Sequence, residues 1–401
     1  ELQMNILIVA PHYPFFDRAS GDLRFFQIIK ALLPGNRLWF CPLAERYHAA
    51  KIGDAENLRY RRILQDLGVQ VALGGPREVL RSVAVDAVFF EFYFAAQDWI
   101  DEVRVLRPSA RILVDSVDVH YHRLQAKARL TGEPADTESA AKVRGEELAV
   151  YASADVVVVV SEDDGKLLQR DLPGTRTAII PNIHVIHPPV AMVEQPVLTF
   201  VGGFAHEPNT DAVLYFCRDI LPRIVAEVPE VVFNVIGNAP PPEVSALASD
   251  RIRVLGYVPD TLPYLSETLV SVAPLRYGAG MKGKVGEAMS LGLPVVTTSV
   301  GAEGIGLTPG ENVLVGETPE EFAQHVIRLI RDRDYCERIR MGGHALIRAK
   351  YSDQVVMRQV VELFATLPDQ PVKSMPLPVR LARRALGLLR DRILWRFQGG
   401  G

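Results

Sequence analysis

The sequence is short of cysteine, of charge of one sign and of long apolar runs, and each shortage excludes something. Cys41, Cys217 and Cys336 lie far apart in a chain of 401 residues. They match neither a zinc-binding spacing nor a disulfide framework, which points to a reducing compartment. Lys and Arg number 44 against 48 Asp and Glu, a net charge of −4, so no basic excess is available for nucleic-acid phosphates. No run approaches the roughly 20 apolar residues that cross a bilayer. No basic segment near the N-terminus leads into a signal-type apolar core, so a cytoplasmic protein is expected. The turn "VAPHYP" (9–14) lacks G-x-G-x-x-G, which argues against a dinucleotide dehydrogenase.

What is present is the composition of a soluble globular protein, 48% hydrophobic and 23% charged, at a length suited to two domains. Short β-branched runs alternate with longer amphipathic stretches. Strands are expected at 5–11, 37–41, 69–73, 86–92, 111–115 and 155–160. Between them lie helical patterns, including 21–33, with Leu23, Phe26, Ile29 and Leu33 on one face, and 123–130 and 138–151. Residues 179–197 are proline-rich and aperiodic, and read as an interdomain linker. The alternation then restarts with strands at 197–202, 231–237, 251–256, 269–274, 293–298 and 312–315. Helices are expected at 209–226, 283–291, 319–332, 334–349 and 353–366. Near-continuous apolar strands separated by helices mean parallel sheets covered on both faces. The fold class expected is α/β: two doubly wound Rossmann-like domains facing each other across a cleft, at 4–188 and 189–352, with C-terminal helices at 353–401. Ligands in such sheets sit beyond the carboxyl ends of the strands.

The stretch "PLRYGAGMKGKVGEAMSLGLPVV" (274–296) lies at such an end. Gly278, Gly280 and Gly283 let the backbone turn sharply and come close to a ligand. The following helix aims its free amides and positive dipole end at the same place, which suits a phosphate or diphosphate. Arg276, Lys282 and Lys284 add full positive charges. Glu287, about one turn into the helix, suits hydrogen bonds from sugar hydroxyls. The plainer alternative is a solvated Gly/Lys loop with a surface glutamate.

On these residues the chain resembles the retaining glycosyltransferases of family 4, which have the GT-B fold. "GEAMSLGLPVVTT" is similar to the second half of their E-x7-E motif. "FVGGFAHEPNTDAVLYFCRDILPRI" (200–224) and "GYVPDTLPYLSETLVSVAPLR" (256–276) resemble segments of their nucleotide-binding domain. "LVDSVDVHYHRL" (113–124) is similar to a loop of a bacterial subgroup that builds surface polysaccharides. The resemblance implies that Glu287 binds the nucleotide ribose. It implies that Gly280, Met281, Lys282 and Gly283 form the loop facing the donor sugar and diphosphate. Tyr257 and Val258 would hold the base, Gly21 would approach the donor phosphates, and His120 would contact the transferred sugar. Two positions depart from the pattern. Ala279 stands where the first glutamate belongs, and Gly203, Phe204, Ala205 and His206 stand where an Arg and a Lys are usual. Arg276 and Lys282 are expected to replace that clamp, and Glu303, in "VGAEGIG" (300–306), is a candidate for the donor-sugar hydroxyls.

The implied reaction moves a sugar from a nucleotide diphosphate sugar to a hydroxyl of a glycan or lipid-linked acceptor, with no cofactor and no metal. Other readings are a sugar-nucleotide epimerase on the same scaffold and a non-catalytic glycan- or nucleotide-binding module. Glu91 and Tyr93, at a strand end, are acceptor-side candidates, with simple burial as the alternative. Asp115, Asp118, His120 and His122 are residue types that ligate metals, though His120 and His122 do not share a helical face. Asp332-Arg333-Asp334 lies at a helix boundary. Asn182, His184 and His187 read as linker turns. Residues 377–397 carry Val379, Ala382, Leu386, Leu389, Ile393 and Phe397 at helical spacing among six arginines. That pattern suits an anionic membrane surface, or a helix packed on the first domain.

Overall fold

Every apolar run expected as a strand forms one; the central ones are buried on both faces between helices, while the runs at 69–73 and 251–256 form edge strands with no buried position. The computed structural model describes residues 3–278 and 281–375, together with Pro378 and Leu381. Gly280 and Ala279 therefore lie outside the described residues, as does the 377–397 segment apart from those two positions.

The first sheet contains β1 (Asn5–Ala10), β2 (Arg37–Pro42), β3 (Gln70–Val71), β4 (Ala87–Glu91), β5 (Arg111–Asp115), β6 (Val156–Val159) and β7 (Thr177–Ile179). These seven strands are parallel, in the order β3-β2-β1-β4-β5-β6-β7. The second contains β8 (Val197–Val201), β9 (Val232–Ile236), β10 (Ile252–Gly256), β11 (Val270–Ala273), β12 (Val295–Thr297) and β13 (Leu314–Val315). Its six strands are parallel too, in the order β10-β9-β8-β11-β12-β13. Strand order reverses direction between β1 and β4 in one sheet and between β8 and β11 in the other. Those two switch points are where a doubly wound sheet opens a crevice.

β7 is absent from the sequence reading, because it is a three-residue edge strand with no buried position. The helix over 21–33 forms as Ser20–Leu32, but its buried face is turned from the one expected. Phe25, Ile28, Ile29 and Leu32 fill the core, while Phe26 and Leu33 are only partly covered. The helix expected at 209–226 is interrupted. Glu207–Tyr215 runs into a π-helical turn, Phe216–Ile220, and continues as Leu221–Glu227. Pro222 has no N–H to donate, and the wider turn absorbs that missing bond.

The segment read as a linker is not loose. Ile180, Asn182, Ile183 and His184 are buried, and His184 N donates to Tyr351 O at 2.9 Å. The Asp353–Thr366 helix returns to the first sheet, where Val356, Val360, Phe364 and Leu367 join the cluster containing Phe25, Ile28 and Phe89. Cys41, Cys217 and Cys336 are free thiols. Among the described residues no helix is long and apolar enough to cross a membrane.

Candidate functional site

The carboxyl ends of the two sheets meet. Beyond β1, the Arg18 guanidinium stands 5.5 Å from the ring centre of Tyr257, which follows β10 and is 45% exposed. The half-buried Val258 comes next. Ser20, opening the Ser20–Leu32 helix, abuts Gly283, which opens the Gly283–Ser290 helix after β11. A Cβ on Gly283 would lie 2.1 Å from Ser20 Oγ and 2.4 Å from Ser20 Cβ, so only glycine permits this approach. Gly21 is the next residue, and a Cβ there would sit 3.6 Å from Val117 Cγ1. Two helix N-termini, each with unsatisfied amides, thus converge from opposite domains.

Lys282 and Lys284 flank Gly283. Lys282 is 7% exposed, with Nζ 3.5 Å from Glu303 Oε2. Burial pulls its pKa down, and Glu303 and Asp164 oppose that. Lys284 Nζ donates to Asn209 Oδ1 at 2.6 Å. Burial first, then the charge of Lys282, pushes the Lys284 ammonium down to about 7. Glu287 accepts a hydrogen bond from Thr261 Oγ1 at 2.8 Å, and burial raises its carboxyl. Met281 is buried, and its carbonyl accepts from Asn182 Nδ2 at 3.0 Å, so Asn182 ties the loop to the first domain.

Arg276 stands apart from this cluster. It forms a two-pronged ion pair with Asp211, with Nε 2.9 Å from Oδ2, and lies 4.9 Å over the Tyr215 ring. The Gly203–His206 segment brings no cation. It supplies His206, held neutral by burial and by Arg123, with its pKa down at about 4. Its Nδ1 accepts from Arg123 Nη1 at 3.2 Å.

His120 opens the His120–Thr131 helix, whose first amides are capped by a buried carboxylate rather than left for an anion. Glu147 accepts from His120 N at 3.1 Å and from Tyr121 N at 2.9 Å. His120 Nδ1 lies 3.2 Å from Asp118 Oδ1. Tyr93 is edge-on to the imidazole at 5.4 Å. Glu91 and Tyr93 are both buried, the alternative reading of that run. Burial, then Asp22 and Asp115, holds the Glu91 carboxyl well above the usual range, with Arg24 opposing. Asp115 serves Arg24, which grips it at 2.6 and 3.1 Å with both side chains fully buried. Among the described residues no cluster of three His, Cys, Asp or Glu could hold a metal ion.

Sequence reasoning missed Asn209, Ser20, Thr261, Asp164 and Glu147. Asn209 and Thr261 lie within the segments quoted above, but nothing in those segments marks them, because each acts on a partner distant in sequence.

Residues 195–332 match the family model described as glycosyl transferases group 1. Over 170 residues, 40% of this chain, the sequence is 23% identical to an "Uncharacterized 44.6 kDa protein in cps region" of Klebsiella pneumoniae. That match spans 44% of the relative, less than half its length. Among solved structures, sucrose-phosphate synthase of Thermosynechococcus elongatus superposes with a TM-score of 0.68 at 17% identity, covering 91% of this chain and 99% of that one. Anabaena HepE in complex with UDP and glucose gives 0.63 at 14%, covering 91% and 100%. S. aureus TarM, in complex with Fondaparinux, alpha-GlcNAc-glycerol and UDP, gives 0.56 at 14%, covering 69% and 55%. The chain therefore has the two-domain α/β fold of the GT-B glycosyltransferases, and its second sheet carries the stretch that matches the group 1 glycosyl transferases.

Proposed function

We propose that this protein is a retaining, metal-independent glycosyltransferase that moves a sugar from a nucleoside diphosphate sugar to a hydroxyl of a glycan or lipid-linked acceptor. Its place is bacterial surface polysaccharide synthesis at the cytoplasmic face of the membrane. The observation that carries the reading is the pair Lys282 and Lys284 at the amide end of the Gly283–Ser290 helix, one turn before Glu287. Two close cations in a buried corner repel each other until an anion of matching charge arrives. HepE and TarM, both solved in complex with UDP, support a nucleotide as the ligand.

In this reading Tyr257 and Val258 hold the base, and Glu287 takes the ribose hydroxyls. Gly21, Met281 and Gly283 present backbone to the diphosphate. Glu303 orients the donor sugar beside Lys282, and His120 meets that sugar near its reacting carbon. Glu91 and Tyr93 support the acceptor side from beneath. The bond from the anomeric carbon to the diphosphate oxygen breaks, and the acceptor oxygen bonds that carbon on the same face. The acceptor's proton passes to the departing diphosphate. Lys282 and Lys284 stabilise the charge on the leaving group, and Arg276 joins them by exchanging Asp211 for phosphate. The basic 377–397 segment would touch anionic lipid, measured as co-sedimentation with phosphatidylglycerol vesicles.

A thermal-shift screen of UDP-, GDP- and ADP-sugars names the donor by mass action. With that donor, Lys282→Ala is expected to lose about a hundredfold in turnover, the scale of one lost charge-stabilising donor. Turnover near that of the wild type removes the assignment. NMR of the first-formed product reads the anomer, and activity after EDTA treatment tests the metal.

A further inference from the structure

The loops after β4 and β5 carry backbone that ordinary residues seldom adopt. Phe92 has φ 69° and ψ 149°, a region essentially confined to glycine. Val117 has φ 59°, and Asp118 N donates across it to Ser116 O at 2.6 Å. A β-branched residue at positive φ is an outlier. The two lie at adjacent strand ends, because Glu91 and Asp115 are register partners and Phe92 N donates to Asp115 O at 2.9 Å. Strain of this kind persists where the surroundings over-determine it, and it gathers at ligand sites.

Core packing does not account for the strain at Phe92. Its ring is only half-buried, and it stacks on Phe94, 5.0 Å away at 11°, which is 43% exposed. Both rings stand edge-on to His120, at 5.8 Å and 81° and at 6.1 Å and 90°. The strained turn therefore holds two parallel aromatic rings beside the candidate catalytic histidine, at a cost the core does not repay.

We propose that Phe92 and Phe94 form the acceptor subsite, stacking on the apolar C–H face of the acceptor's terminal pyranose ring. This rests on the glycosyltransferase reading and deepens it. An aromatic face is electron-rich and attracts the polarised C–H groups of a sugar. The rim of the same corner is charged. Asp118 lies 3.2 Å from His120 Nδ1 and 3.2 Å from Arg123 Nε, and all three side chains are partly open to solvent. A pyranose brings hydroxyls to such a carboxylate. An acyl chain would have to bury that ion pair against hydrocarbon, which is unfavourable.

The test uses the full chain saturated with UDP and a set of methyl pyranosides: glucoside, galactoside, mannoside and N-acetylglucosaminide. Saturation-transfer NMR from the aromatic protons is expected to mark one face of at least one sugar. Phe94→Ala should weaken that contact about tenfold, the scale of one lost stacking interaction, and Phe94→Trp should keep it. UDP affinity, measured by calorimetry, should be the same in all three proteins. Phe92→Gly is expected to match or exceed the wild-type melting temperature while losing the sugar contact. No transfer to any of the four glycosides overturns the subsite, as does an unchanged contact in Phe94→Ala. With octyl glucoside added as a fifth probe, transfer confined to its alkyl chain overturns the subsite in favour of a lipid. Absence of binding to UDP, GDP and ADP alike in the wild type would instead strike at the function itself.

Discussion

The Asn209 side chain fastens the Lys284 ammonium to the loop that opens the second sheet. Its Oδ1 accepts from Lys284 Nζ at 2.6 Å, while its Nδ2 donates to Gly203 O at 2.7 Å. The amide fixes where the ammonium sits without cancelling its charge. Burial then leaves Lys284 titrating at about 7. An arriving diphosphate favours the charged lysine, so UDP binding at pH 8 should take up part of a proton. Affinity should fall as pH rises above 7, by up to about tenfold per unit. Calorimetry in buffers of differing ionisation enthalpy reads both effects, and Lys284→Met should abolish them.

The same lysine burdens the empty protein. Unfolded, it ionises near ~10.4. Its folded value is lower, so the penalty is complete below pH 7 and relieved as pH climbs toward 10. Lys284→Met should therefore melt higher than the wild type at pH 6.5 without ligand, with the gap narrowing by pH 9. That is the trade expected where a site is kept at the expense of stability.

Ser20 and Gly283 set how closely the two domains meet. Gly283→Ala places a methyl against both Ser20 Oγ and Ser20 Cβ. Rotating the hydroxyl clears only the first, so the backbone must shift. Overpacking of this kind costs about 1–3 kcal/mol, and a strain of that size carried into the transition state should appear as a roughly 5- to 150-fold loss in kcat/KM. Ser20→Gly removes the opposing atoms, and the double variant should recover most of the loss. Failure of the second change to rescue the first would show that the alanine acts elsewhere.

Asp115 was one of four residues weighed as metal ligands, and the structure gives it other work. It neutralises Arg24, whose Nε also donates to Ile180 O at 2.8 Å, with neither side chain reaching solvent. Asp115→Asn strands a buried guanidinium, and should lower stability by about 3–5 kcal/mol in urea unfolding.

The central strands were legible because burial on both faces leaves an unbroken apolar signature. β7 was not, since three residues with no buried position, one of them the exposed Ile179, leave none. The position of Lys282, Lys284 and Glu287 beyond a strand end could likewise be read from the glycines and the apolar run beside them. Their partners could not. Lys284 finds Asn209 across 75 positions, and Asn182 reaches Met281 across 99. Periodicity carries no information about such pairs, which exist only once distant elements have packed together. Glu147 was hidden differently. It sits in a helix with many charges, and only its contact with the His120 and Tyr121 amides distinguishes it.

Glu287 offers the sharpest test of where the nucleotide lies. Its carboxylate already accepts from the Thr261 hydroxyl, and Lys284 helps keep it charged. An ionised carboxylate can accept from both ribose hydroxyls, whereas an amide offers one acceptor and a donor in the wrong place. Glu287→Gln should weaken UDP by about 1.5–3 kcal/mol, the range for hydrogen bonds to charged groups. The unmodified protein should lose a similar amount on exchanging UDP for its 2′,3′-dideoxy analogue. If the two partners contact each other, the losses will not add. The variant should bind the dideoxy nucleotide scarcely more weakly than it binds UDP. Full additivity would mean that the ribose rests on other residues, and Glu287 would then be a structural carboxylate held by Thr261.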